Sequence, residues 1–330
     1  MKRTIRTAAV FALASLCLCA GAGAKIVAFQ IPGAKKVWPV SINDKGQVTG
    51  YFSDAAGEHG FLRQPDGTLA TFDVPGAQNT VPAGISAAGV ITGSYYPPKH
   101  GAGGFVRAAD GTITTFTVPD GPFTEDLGAN SKGWSVGDYA RNVHAEPQAF
   151  FRSPSGATTE FSVPEAMGTR AVAINRSRTI AGVAIINGQQ DVKGFVRSPH
   201  GDITLFGDPY GYVQVAGIND DGTVTGWASI EEPEAAFVRT SDGTFTAFTG
   251  PNGTIATEPW AINNAGTVVG EYLDTNGVFH GFLRTAGGTL APFDPEGSIH
   301  TEIFAINNKG TIAGTYTNQD NLNLGFVGKP

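Results

Sequence analysis

Beyond residue 24 the chain has no cysteine, because Cys17 and Cys19 both lie in the N-terminal apolar stretch. That excludes disulfides and thiol chemistry from everything after it, so packing and hydrogen bonds alone must hold the fold. Charge is also sparse, at 15% Asp, Glu, Lys and Arg, with a net value of −7. No apolar run after residue 24 approaches the roughly 20 residues that a membrane-spanning helix needs. No segment carries an apolar period near 3.6 over 12 residues, which excludes amphipathic helices and helical solenoids. Motifs such as HExxH, GxSxG, a P-loop or an EF-hand loop are absent too, and nothing in the sequence specifies a cofactor or a metal.

What is present begins with a leader. Residues 1–24 combine the cations Lys2, Arg3 and Arg6, the apolar run "AAVFALASLCLCA" and the small residues "GAGA". This reads as a signal peptide cleaved between Ala24 and Lys25, which implies export to the periplasm or the exterior. Leu precedes each cysteine, which does not suit a lipid-anchor site. Removing the three leader cations takes the net charge to about −10. An acidic surface of that kind argues against nucleic acid and anionic lipid as partners.

The remainder, residues 25–330, repeats itself. An Asn anchor followed by a turn and "GxVxG" falls at Asn43, Asn130, Asn175, Asn219, Asn263 and Asn307, with Ser86 in the second copy. Successive spacings are 43, 44, 45, 44, 44 and 44 residues. Between anchors lies a second motif, "GFLRQPDGTLATFDVP" at 60–75 and its cognates. Each unit reads as four strands: one ending in "IN", then "QVTGYF", then "GFLR", then "TLATFDV". Turn residues that tolerate positive φ separate them. Four antiparallel strands per unit of this length predict a seven-bladed β-propeller, an all-β fold forming a single domain over 25–330. The last unit stops at "GFVGKP" without its fourth strand, while "KIVAFQIPGA" at 25–34 matches "TLATFDVPGA". The N-terminal strand is therefore expected to join the last blade and close the ring, which removes two exposed edges.

The motifs "GINDDGTVTG", "AINNAGTVVG", "HGFLR" and "FDVPGA" resemble the HAF-type extracellular repeat family, and the likeness covers essentially all of 25–330. It implies a secreted repeat fold and supplies no catalytic residues. Some copies depart from it: Ser86 replaces Asn, Ala129 replaces Ile, and Arg178 stands where the turn of the fourth copy should have Gly.

Residues that repeat serve the scaffold, so function is sought where copies differ. Five positions before the anchor stand Trp38, Val81, Glu125, Arg170, Gln214, Glu258 and Glu302. This position precedes the innermost strand and is expected around one mouth of a central channel. It forms either a specific polar site or a solvated rim. Nine positions after the anchor stand Phe52, Tyr95, Tyr139, Ala184, Ala228, Tyr272 and Tyr316, with Trp227 one earlier in its copy. These rings form either a sugar- or peptide-binding surface on the same face or packing between blades. The Arg of "GFLR", with Asp three positions on in Asp66, Asp110 and Asp242, reads as a salt-bridged hairpin. His59 and His280 sit at matching positions in different blades, too far apart to share a metal. His300 beside Glu302, and Glu258 with Glu302, are the nearest things to acid/base pairs. Two functions fit. One is a binding or interaction module whose loop face takes a glycan or small polar molecule. The other is an enzyme of lyase, hydrolase or isomerase type, using Glu, Arg and His at the mouth. Sequence says nothing of the oligomeric state.

Overall fold

A computed structural model describes residues 25–187, 191–207, 211–229, 234–251 and 253–330. The leader at 1–24 lies outside the described residues. All regular structure among them is β, with no helix, in 28 strands. β1 (Lys25–Phe29) precedes the first complete sheet, formed by β2 (Lys36–Ile42), β3 (Val48–Ser53), β4 (Glu58–Arg63) and β5 (Leu69–Phe72), antiparallel in that order. The pattern recurs with β6 to β9 within 79–116, β10 to β13 within 123–161 and β14 to β17 within 168–206. It continues with β18 to β21 within 212–248 and β22 to β25 within 254–293. The fourth and fifth groups join through one parallel pair, Val192 with Tyr212. β26 (Ser298–Ile306), β27 (Ile312–Asn318) and β28 (Asn323–Lys329) take β1 as their fourth strand. Lys25 lies opposite Lys329, and Phe29 lies opposite Gly325.

The repeated Asn does two jobs. Its Oδ1 accepts the backbone N–H groups two and four residues on; in Asn263 these come from Ala265 at 3.1 Å and Thr267 at 3.0 Å. Its Nδ2 donates to the carbonyl of the next sheet's anchor. Asn219 reaches Asn263, Asn263 reaches Asn307, and Asn307 reaches Asn43 at 3.0 Å. The turn role follows from local sequence. The bond between sheets does not, because its acceptor lies a full repeat away. Ser86 keeps only the first role, accepting from Val90 N–H at 3.1 Å.

The second Gly of "GxVxG" has its own reason. A Cβ on Gly270 would lie 2.1 Å from the carbonyl oxygen of Glu258, and the same clash recurs at Gly50, Gly137 and Gly226. Close approach of two strands, rather than positive φ, requires it.

One irregular copy folds like the rest, and one sequence reading needs correction. The turn at Arg178 forms like the others: Arg178 adopts φ 71° and its N–H reaches the Asn175 carbonyl at 3.0 Å. Its guanidinium stacks over Trp134 at 5.3 Å, which offsets part of the cost of a left-handed backbone. The repeated Arg makes no salt-bridged hairpin. Arg63, Arg107, Arg152 and Arg284 stack on Phe29, Phe72, Phe116 and Phe248, each from the preceding outer strand. Asp66, Asp110 and Asp242 accept backbone N–H groups of Thr68, Thr112 and Thr244 instead. Full burial of Phe61, Phe105, Phe150, Phe195, Phe237, Phe282 and Phe326 places the apolar core between neighbouring sheets.

Candidate functional site

The first strands of the groups are β2, β6 (Asn79–Ile85), β10 (Phe123–Ala129), β14 (Gly168–Ile174), β18 (Tyr212–Ile218), β22 (Thr254–Ile262) and β26. Each carries a register shift against its partner just before the anchor. In β22 the shift falls between Pro259 and Ala261, so Trp260 is the extra residue. Bulges re-aim a side chain. Here the bulged residues Val40, Ala83, Leu127, Val172, Ala216, Trp260 and Phe304 all line one central cavity of about 230 Å³. The residues five before the anchor precede these bulged residues by two positions on the same strands, one step up toward the rim.

The bulge also decides which side chains share the rim. Without it Glu258 would face Tyr272. With it Glu258 lies opposite Glu271, Trp38 opposite Tyr51, Glu125 opposite Asp138, and Gln214 opposite Trp227. The tyrosine row therefore stands on the alternate face. Tyr139 and Tyr272 are buried between sheets, and Tyr95 and Tyr316 are half-buried there, in contact with the apolar clusters. Tyr139 donates to Glu160 at 2.6 Å, and Tyr272 stacks on His280 at 5.1 Å. Apart from Trp227, sequence reasoning missed the position eight after the anchor, which holds Tyr51, Asp138 and Glu271 in other copies. Its variability from copy to copy was the available signal.

Two polar groups result. On β10, β11 (Ser135–Ala140) and β14, Arg170 is held by carboxylates. Its Nε lies 2.5 Å from Asp138 and its Nη2 lies 3.5 Å from Glu125. Glu125 also accepts from the Tyr96 hydroxyl at 3.0 Å. Burial pushes Asp138 up to about 6, with Arg170 opposing and Glu125 adding to the shift. A cleft of about 340 Å³ opens beside this group, walled by Phe123, Val143 and Pro147.

The other group is acidic and has less compensation. Glu271, on β23 (Val268–Asp274), is only 5% exposed, and its Oε2 has no hydrogen-bond partner. Burial first, then the charges of Glu302 and Glu258, raise its pKa to about 9, with the Trp260 indole N–H and Lys36 opposing. Glu258 is raised by burial, Glu234 and Glu302. Glu302 is raised by burial, with Lys36 and His300 opposing. Around them stand aromatic rings. Trp38 stacks on Tyr51 at 4.8 Å, and Trp260 makes edge contacts with Trp227 at 5.7 Å and Phe304 at 5.8 Å. Three of the chain's four Trp thus stand at or just below this rim. Gln214 bonds the Tyr212 hydroxyl.

His59 and His280 lie apart from the rim in equivalent settings. His59 bridges Asp73 at 2.9 Å and Asp54 at 3.2 Å, while His280 lies between Asp294 and Asp274. Among the described residues no His, Cys, Asp or Glu group is arranged to hold a metal ion. No helix among them is long and apolar enough to cross a membrane.

No known family profile matches the chain, and no curated protein matches it in sequence. Solved structures do. Virginiamycin B lyase from Staphylococcus aureus superposes with a TM-score of 0.62 at 14% identity, over 93% of this chain and 100% of that one. A streptogramin B lyase gives 0.62 at 12% identity, over 92% and 97%. A prolyl endopeptidase gives 0.61 at 12% identity, over 86% of this chain and 47% of the other. The fold is a β-propeller. At these identities the likeness extends to the fold alone.

Proposed function

We propose that this is an exported propeller of the HAF-type repeat group. It has seven blades closed into a ring by β1, and it acts in the periplasm or outside the cell by binding a glycan or small polar ligand at the rim. Support for closure comes from β1 in the sheet of β26 to β28 and from the Asn307 to Asn43 hydrogen bond. The observation that carries the binding site is the convergence of Glu258, Glu271 and Glu302 beside Trp260 and the Trp38–Tyr51 stack. Rigid aromatic faces with few, placed polar groups suit small-molecule recognition. A glycan and metabolite screen read by thermal shift tests it, since a ligand of the folded state raises the melting temperature. The double variant Glu258→Ala with Glu302→Ala should lose that rise while melting close to the parent. Unaltered binding by the variant overturns the rim assignment.

A second reading is an enzyme at the same rim, of lyase, hydrolase or isomerase type. It is favoured by one feature: burial and the neighbouring carboxyls of Glu302 and Glu258 raise Glu271 to about 9, so it is held protonated at neutral pH beside them. Paired carboxyls with separated pKa values are the pattern of acid and base assignments. On this reading Glu271→Gln binds substrate and does not turn it over.

A further inference from the structure

We propose that the acidic half of the rim, built by β22, β23, β26 and β2, binds a protonated alkylamine. This rests on the rim being the ligand site and names the class of ligand it takes.

Three independent features point to it. The first is charge. Glu258, Glu271 and Glu302 face Lys36 from β2 and His300 from β26 as the nearby cations. Lys36 makes no ion pair among the described residues; its ammonium lies over the Trp38 ring at 5.6 Å. The second is the unsatisfied acceptor. Glu271 is 5% exposed and its Oε2 makes no hydrogen bond, and the indole N–H of neighbouring Trp260, which acts on the same carboxyl, is unpaired as well. A buried polar atom left unpaired costs free energy that an incoming donor recovers. The third is the floor. The bulges put Trp260 and Phe304 into the cavity beneath the carboxyls, and Trp227 flanks Trp260. Ring faces attract an ammonium and its adjacent CH₂ groups.

A primary ammonium fits all three features. It carries three N–H donors for three carboxyls and an alkyl stem for the aromatic floor. A hard divalent cation does not fit, because aromatic carbon supplies no oxygen ligands, and the carboxyls are not arranged for a metal. Anions are repelled by the same charges. The amine could be a free diamine or the side chain of a lysine in a peptide; the recognised chemistry is the same.

Binding has a protonation signature. A cation beside Glu271 favours its charged form, so binding lowers a pKa of about 9 and releases a proton near pH 7.5. Affinity should therefore rise between about pH 6 and 9, below the amine's own pKa near 10.4. Other groups facing Glu271 are Glu258, Glu302 and Lys36; Glu234, His300 and Tyr51 border them.

The test is calorimetry with 1,5-diaminopentane, Nα-acetyl-lysine amide and a lysine-containing tripeptide, with 1,5-diacetamidopentane as the uncharged control. Heats in two buffers of different ionisation enthalpy count the protons released. Expected are saturable binding of the amines, no binding of the control, and proton release at pH 7.5. Glu271→Gln, nearly isosteric with the protonated acid, should fold and abolish the proton release. Glu258→Gln with Glu302→Gln should weaken binding by roughly tenfold or more. A tripeptide tighter than the diamine points to a polypeptide lysine, and the reverse order to a free amine. Absence of amine binding, or binding unchanged in the double variant, overturns the proposal. If a neutral glycan binds instead and the double variant loses it, the rim reading stands and the cation assignment alone fails.

Discussion

Gly266 sits at φ 73°, and a Cβ built on it would lie 2.9 Å from the Cβ of Ala286. Gly266→Val should therefore cost on the order of 1–3 kcal/mol. Thr267→Val, beside it, should cost much less in urea unfolding, because its backbone N–H to Asn263 survives. Equal midpoints for the two would refute the turn geometry. Glu271 gives a second test at this scale. Its folded pKa, about 9, lies above the unfolded value, so the native state holds an extra proton between them. That contribution is complete at low pH and is lost as pH rises toward 9. Glu271→Gln keeps a neutral side chain throughout, so its melting temperature relative to the parent should climb steadily from pH 5 to pH 9. A pH-independent difference would show that Glu271 titrates normally.

Between residue and sheet lies the turn, and there the Asn anchor has two partners. Asn263→Ala removes an acceptor from two backbone N–H groups and a donor from the Asn307 carbonyl. A loss of about 2–4 kcal/mol follows. Asn263→Ser should cost clearly less, since the second copy shows Ser86 retaining a turn bond; equal losses would mean that the bond between sheets dominates. His59 ties the turn after β3, through Asp54, to the end of β5, through Asp73. Burial opposes its charge, but the two carboxylates outweigh burial and hold its pKa above the ordinary value. Its contribution is full below about pH 6.5 and disappears as pH rises through the folded value. His59→Gln should thus lower the melting temperature at pH 6 and match the parent above pH 8.5. The strand order and the turns could be read from the sequence, because Gly, Asn and the apolar alternation act within a few residues. The face of the tyrosines could not, because one bulged residue at Trp260 and its equivalents shifts the ladder by one and moves every side chain beyond it to the other face. The partners of Asn and of Arg63 were illegible for another reason: a fold brings them from a neighbouring repeat.

For the molecule as a whole, the first and last described strands share a sheet. Removing residues 25–33 deletes β1, leaves β28 as an open edge, and takes Phe29 from beneath Arg63 and Ile31 from the core. The truncated protein should melt roughly 5 °C or more below one that begins at Lys25, in a single transition. An unchanged melting temperature would mean that this strand adds nothing to the stability of the fold.

The same pairing governs how the chain assembles. β1 can dock only after β28 has been made and placed, and the contact between Lys25 and Lys329 spans nearly the whole chain. Contacts of such sequence separation form slowly. Until they form, β28 offers its free edge to any matching strand, including the β1 of a second molecule. Refolding of this protein is then a competition between its own five-residue strand and a neighbour's. Dilution favours pairing of β1 with β28 of its own chain, and concentration favours chains that have exchanged β1.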